Sequence, residues 1–207
     1  MIRPRLTLAS LVLGLLLAAP VHAQDAAPAE AEAPPRSTEE GLASWQVFYE
    51  VASHPRCANC HTGPDNWPMW SGPSYGEPQR HGMNINAGDS RVGAEALLCS
   101  TCHVTLGEPA PGTLPHAAPA AATPWMLAPV ETEWFGKSSA EICAQIKDPA
   151  RNGERTIEEV ADHVGEGAFQ TWAWNPGGGR EPAPHSKQKA IDALLTWAAA
   201  GTPCPEE

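Results

Sequence analysis

Two short runs carry the chemistry of this chain: Cys57-Ala58-Asn59-Cys60-His61 and Cys99-Ser100-Thr101-Cys102-His103. Each is a Cys-x-x-Cys-His, the pattern of covalent c-type haem attachment. Thiols three positions apart stand about one helical turn from each other, so both can form thioethers to one porphyrin. The histidine lies four positions after the first cysteine, on the same helical face, where its imidazole can reach the iron. Three other uses of these cysteines compete: a four-thiolate zinc site, a redox dithiol and plain disulfides of a secreted domain. None of them uses the histidine that follows each second cysteine. Two c-type haems are therefore expected, attached through Cys57, Cys60, Cys99 and Cys102, with His61 and His103 on the irons.

The ligand on the far side of each iron decides what such a group does. His/Met ligation raises the reduction potential, a second histidine lowers it, and an open position permits binding or catalysis. The candidates are His54, Met69, His81, Met83, His116, Met126, His163 and His185. Met83 stands in Arg80-His81-Gly82-Met83-Asn84, a polar run that offers an apolar side chain little to pack against. Met126 stands in Pro124-Trp125-Met126-Leu127. Met83 follows His61 by 22 positions and Met126 follows His103 by 23, so we assign Met83 to the first haem and Met126 to the second. The crossed pairing stays open, and His81 is the strongest rival to Met83. Met69, between two tryptophans, reads as packing, and His54 as a local hydrogen-bonding group. His163 falls on a predicted helix, where a surface role is the default; His116 and His185 lie in Pro-rich loops. Arg151, Arg155 and Arg180 are candidates for pairing with haem propionates. Trp172 and Trp174 read as core.

The elements that must position these groups are short. Twenty-two prolines and 18 glycines leave little room for long helices or sheets. Ser37 with Glu40 is a capping box that opens a helix through Ala43, Val47 and Val51 toward the first motif. Residues 62–90 read as consecutive turns that wrap a cofactor, and Val92 to Leu98 as a short helix delivering Cys99. A second Pro/Ala/Gly loop runs from Gly107 to Pro129. Ser138 with Glu141 and Thr156 with Glu159 open two further helices. Ser186 caps a last one, with Ile191, Leu194, Leu195 and Ala198 as its apolar stripe and Gly201 as its end. Cys143 and Cys204 remain once the haem cysteines are spent, and in an oxidising compartment they are expected to pair.

Residues 1–23 have the form of a secretory signal: Arg3 and Arg5, an apolar run from Leu6 to Leu17, and Val21-His22-Ala23 before the cut. The apolar run is shorter than a membrane span, so no span is expected after cleavage, and the destination is the periplasm. Residues 24–36, rich in Ala, Pro and Glu, read as a flexible tether. Losing Arg3 and Arg5 takes the formal charge from −11 to −13. That argues against nucleic acid and anionic membranes and suits a basic docking patch on a redox partner.

Trp134-Phe135-Gly136-Lys137-Ser138, the run from Glu141-Ile142-Cys143 through Asp148-Pro149-Ala150-Arg151-Asn152-Gly153, and Trp172-Ala173-Trp174-Asn175-Pro176-Gly177 together carry a resemblance. Over residues 45–205 the chain resembles a family of exported dihaem cytochromes usually labelled isoquinoline 1-oxidoreductase subunit. The label implies association with a molybdenum hydroxylase, for which the cytochrome is the electron outlet. The hydroxylase chemistry does not carry over, because this chain has neither the length to hold a molybdopterin nor an iron–sulfur cysteine set.

The expected architecture is mainly α with long Pro/Gly-rich loops, a dihaem cytochrome c-like arrangement of short helices around two covalent haems. Residues 37–130 form the haem part, and 131–207 a disulfide-tied helical cap, in one compact unit with it. The expected function is single-electron transfer from a dehydrogenase to a respiratory acceptor, with no catalysis on a bound substrate. The alternatives are a dihaem peroxidase-like enzyme with one open iron and a sensory module in which haem is structural.

Overall fold

Helix formation follows the caps. Ser37 Oγ accepts from Glu40 N, and the Glu40 carboxylate accepts from Ser37 N, opening α1 (Thr38–Ala52). A computed structural model describes residues 36–72, 76–93, 97–103, 125–177 and 179–207. These residues are mainly helical and belong to one compact unit, residues 34–207. The expected signal and nearly all of the tether lie outside the described residues, as do His116 and most of the loop before Trp125. No helix among the described residues is long and apolar enough to cross a membrane.

After α1 come α2 (Pro55–Ala58), β1 (Met69–Gly72) and β2 (Gly76–Arg80). Then follow α3 (Ser139–Lys147), α4 (Pro149–Asn152), α5 (Ile157–Glu166), α6 (Ala168–Trp174) and α7 (Lys187–Ala199). The boxes at Ser138/Glu141 and Thr156/Glu159 start α3 and α5, and Ser186 Oγ caps α7 by accepting from Lys189 N. Two local expectations are corrected. Residues 69–80 are not turns alone: β1 and β2 form an antiparallel hairpin, with Met69 opposite Arg80 and Trp70 opposite Gln79. Cross-strand bonds, invisible to a reading along the chain, stabilise a segment that its prolines and glycines made look irregular. The helix expected from Val92 is also absent where described. Gly93 takes φ 119°, outside any α-helix, and a Cβ there would lie 2.5 Å from Leu97 O.

The core is built by α1 against α3 and α7, with α5 packed on α7, so the first helix of the expected haem part packs into the C-terminal helices. Trp45, Phe48, Val51, Ile142, Leu194 and Trp197 are its fully buried centre. The stripe on α7 is Ala190, Ala193, Leu194 and Trp197; Leu195, expected on it, is 40% exposed. The spacing 190, 193, 194, 197 is equally helical, and the bulk of Trp197 against Trp45 decides which face turns inward. Gly201, at φ 79°, ends the helix as expected. Cys143 and Cys204 are disulfide-bonded, tying the tail beyond α7 to α3.

Candidate cofactor site

The first motif is delivered by a one-turn helix. His54 Nδ1 accepts from Arg56 N and Pro55 occupies the first turn, so α2 starts immediately after α1 ends. That is the local role expected of His54, whose ring burial and the neighbouring Arg56 charge hold below its ordinary pKa. The turn continues past α2, with His61 N donating to Cys57 O at 3.2 Å. The second motif repeats it: Cys99–Thr101 is a 3₁₀ turn, and His103 N donates to Cys99 O at 3.0 Å. In both, the two thiols and the imidazole leave one turn of backbone.

Each turn opens on a cavity. Cys57, Cys60 and His61 line a first cavity of about 330 Å³, walled opposite by Val160, His163 and Val164 of α5. Cys99, Cys102 and His103 line a second, of about 490 Å³, walled by β1 and by His81 to Ile85. Both volumes are in the range of small-molecule and cofactor sites. Arg56, Cys60, Trp125, Leu127 and Trp172 line both, so the two cavities share a wall.

His61 is held by one short loop. Its Nδ1 is 2.9 Å from the Thr132 carbonyl, which can only accept, so Nδ1 carries the hydrogen and Nε2 keeps its lone pair. Trp134 stacks on the ring at 3.6 Å and 3°, and Trp134 N and Phe135 N both donate to His61 O. Burial pushes the imidazole down to about 4, with the Thr132 bond opposing, so the ring is neutral near pH 7. A neutral imidazole with Nδ1–H given to a backbone carbonyl is the form that ligates a metal through Nε2. His103, 8% exposed, stacks on Trp125 at 4.1 Å and 16°, and Trp125 meets Phe169 and Trp172 edge-on.

Burial pushes the Cys57 thiol up to about 12 and the Cys60 thiol up to about 11. A catalytic dithiol needs the opposite shift, so the redox-dithiol use finds no support at the first motif. Among the described residues no three or more Cys, His, Asp or Glu side chains converge on a metal position. The four motif cysteines are unpaired and do not assemble a four-thiolate zinc site.

The cavities suit a large apolar group with a charged edge. Their walls are aromatic and aliphatic, and Arg151 and Arg155 line the first while Arg180 lines the second. Trp134 Nε1 is a buried donor with no protein partner, in a residue that lines the first cavity. A porphyrin with two carboxylates would offer that donor and these guanidinium groups acceptors.

The other candidate ligands separate cleanly. Met126 and His163 line the first cavity. Met69, His81 and Met83 line the second. The methionines thus stand crosswise to their order along the chain: Met83 with the second motif, Met126 with the first. His54 lines neither cavity. His185 lies at 2.6 Å from Glu50 and 3.2 Å from Lys189 Nζ, in contacts remote from both. Trp174 packs against the core, its Nε1 donating to Val164 O, and lines the first cavity alone, whereas Trp172 stands in the shared wall. Sequence reasoning passed over Arg56, whose side chain is 7% exposed, lies 5.2 Å from the Trp172 ring and is bound to the Glu181 carbonyl and carboxylate. Its place between Pro55, the first residue of α2, and Cys57 is the one signal that was available.

No family model matches the chain, and neither a curated protein nor a solved structure matches it.

Proposed function

We propose that this chain is an exported dihaem c-type cytochrome that passes single electrons. Its donor is a periplasmic dehydrogenase, of the molybdenum-hydroxylase type that the family resemblance implies or of another type, and its acceptor is a respiratory carrier. The observation that carries the reading is the duplication of one local design: two Cys-x-x-Cys-His turns, each with its histidine stacked on a tryptophan, opening on two apolar cavities with a common wall. A haem bound in each would supply a reversible one-electron iron couple. Cys57, Cys60, Cys99 and Cys102 would hold the two groups covalently. His61 and His103 would ligate; the hydrogen bond to Thr132 would keep His61 in its ligating tautomer and the Trp134 stack would hold its ring orientation. Met126 stands as the second ligand at the first motif. Arg151, Arg155 and Arg180 would meet the carboxylates, and the aromatic walls would exclude water. The acidic balance of the chain, −11 overall, favours encounter with a basic partner surface.

The test is production in a host that matures c-type cytochromes, followed by haem staining after denaturation and intact mass. Two covalent haems are expected in the parent chain and one in each of C57S/C60S and C99S/C102S. A reversible redox titration with no carbon monoxide binding supports the carrier; a haem that takes up carbon monoxide would move the reading to a peroxidase-like enzyme. A chain that matures with no covalent haem would falsify it.

A further inference from the structure

We infer that His81, and not Met83, is the second ligand of the iron at the second motif, so that this site is a bis-histidine one. The inference rests on the haem reading above. The ring centres of His81 and His103 are 6.0 Å apart across the second cavity, which both residues line. A ligating nitrogen stands about 2 Å from its metal and roughly 1 Å from its own ring centre, so two imidazoles on opposite sides of one ion have centres roughly 6 Å apart. The tautomer also suits the role. His81 Nδ1 lies 2.9 Å from the Gly82 carbonyl and must donate to it, which leaves the Nε2 lone pair for a metal. That is the arrangement of His61 with Thr132.

The backbone holds His81 in place. His81 N donates to Pro68 O at 2.8 Å, and the preceding Arg80 is fixed by its pairing with Met69 and by Asp65 at 2.9 Å. The hairpin therefore ends with His81 at the mouth of the cavity. Met83, two residues on, is 74% exposed and takes φ 56°, ψ 20°, a conformation costly for a residue with a Cβ. The third candidate, Met69, is held on β1, with its N donating to Asn59 O. Bis-histidine ligation sets the second iron at a lower potential than a His/Met iron at the first, so the two sites differ in kind.

The experiment uses the full chain carrying both haems. Near-infrared magnetic circular dichroism of the unaltered protein should show no sulfur-to-iron band from the second haem, identified by its loss in C99S/C102S. H81G should create one carbon monoxide site per two haems, closed again by added imidazole, and M83L should leave spectra and potentials as they are. A sulfur-to-iron band lost in M83L, or an H81G protein with both irons still closed, would overturn the assignment while leaving the dihaem reading intact. Absence of covalent haem from the parent chain would instead overturn both together. The spectra of the unaltered protein and of C99S/C102S together decide the matter even where H81G does not fold.

Discussion

Replacing Cys143 and Cys204 together by alanine should lower stability by about 4 kcal/mol. The bridge spans 61 positions, and closing a loop of that size removes about 14 cal/mol/K from the unfolded chain, or ~4 kcal/mol at 25 °C. The native side of the balance should change little. Without the bond the tail is still held by Thr202 N donating to Trp197 O at 3.0 Å and by Trp197 Nε1 donating to Pro203 O at 2.8 Å. Cys143, fully buried in α3, loses only its sulfur, a small cavity beside Ile142 and Ile146. The loss should therefore appear as a shift of the unfolding curve and not as a rearranged fold. With a denaturant slope of about 2 kcal/mol/M, the urea midpoint should fall by about 2 M, read by far-ultraviolet circular dichroism. Reduction of the parent chain by dithiothreitol should reproduce the shift, because Cys143–Cys204 is the disulfide it would break. A midpoint shift under about 0.5 M at unchanged slope would refute the chain-entropy reasoning. It would mean that the unfolded chain is already restrained.

Gly41→Ala should destabilise despite lying in a helix. Alanine gains about 1 kcal/mol in propensity, but its Cβ would sit 2.6 Å from both Ala200 Cβ and Pro203 Cγ, and overpacking of that kind costs about 1–3 kcal/mol; a raised melting temperature would refute this. Thr156→Ala removes the acceptor for Glu159 N and should cost about 1 kcal/mol by denaturant unfolding, with Thr156→Ser recovering most of it. Among the described residues, Arg56 is the one charged residue lining both cavities. If both hold haem, Arg56→Gln should lower both potentials in spectroelectrochemistry, since a nearby cation favours the reduced iron. Arg180→Gln, which touches the second cavity alone, should move only one; equal shifts in both variants would refute the shared-wall placement.

Much of the fold was legible because it rests on local bonds. Ser37, Ser138, Thr156 and Ser186 start their helices through contacts three residues long, and Gly201 ends the last through its own backbone angle. The hairpin was not legible, because its bonds join Met69 to Arg80 across a run of prolines and glycines. Nor was the inward face of α7, where two helical stripes of similar apolarity competed and contact with Trp45 chose between them.

The site divides along the same line. By itself the sequence determined the two Cys-x-x-Cys-His turns, the helix that leads into the first, and the pairing of the two spare cysteines once the other four had a use. Each of these depends on a spacing of a few residues or on simple elimination. Only the tertiary structure decided which side chains face which turn. Met83 follows His61 by 22 positions yet lines the cavity of His103, and Met126 follows His103 yet lines that of His61. The hairpin brings residues 81–85 to the cavity of the second motif and not to that of His61, and the approach of α5 brings His163 toward His61. Such placements follow from packing between distant segments, where the path of a loop is set by what it lies against and not by the residues along it.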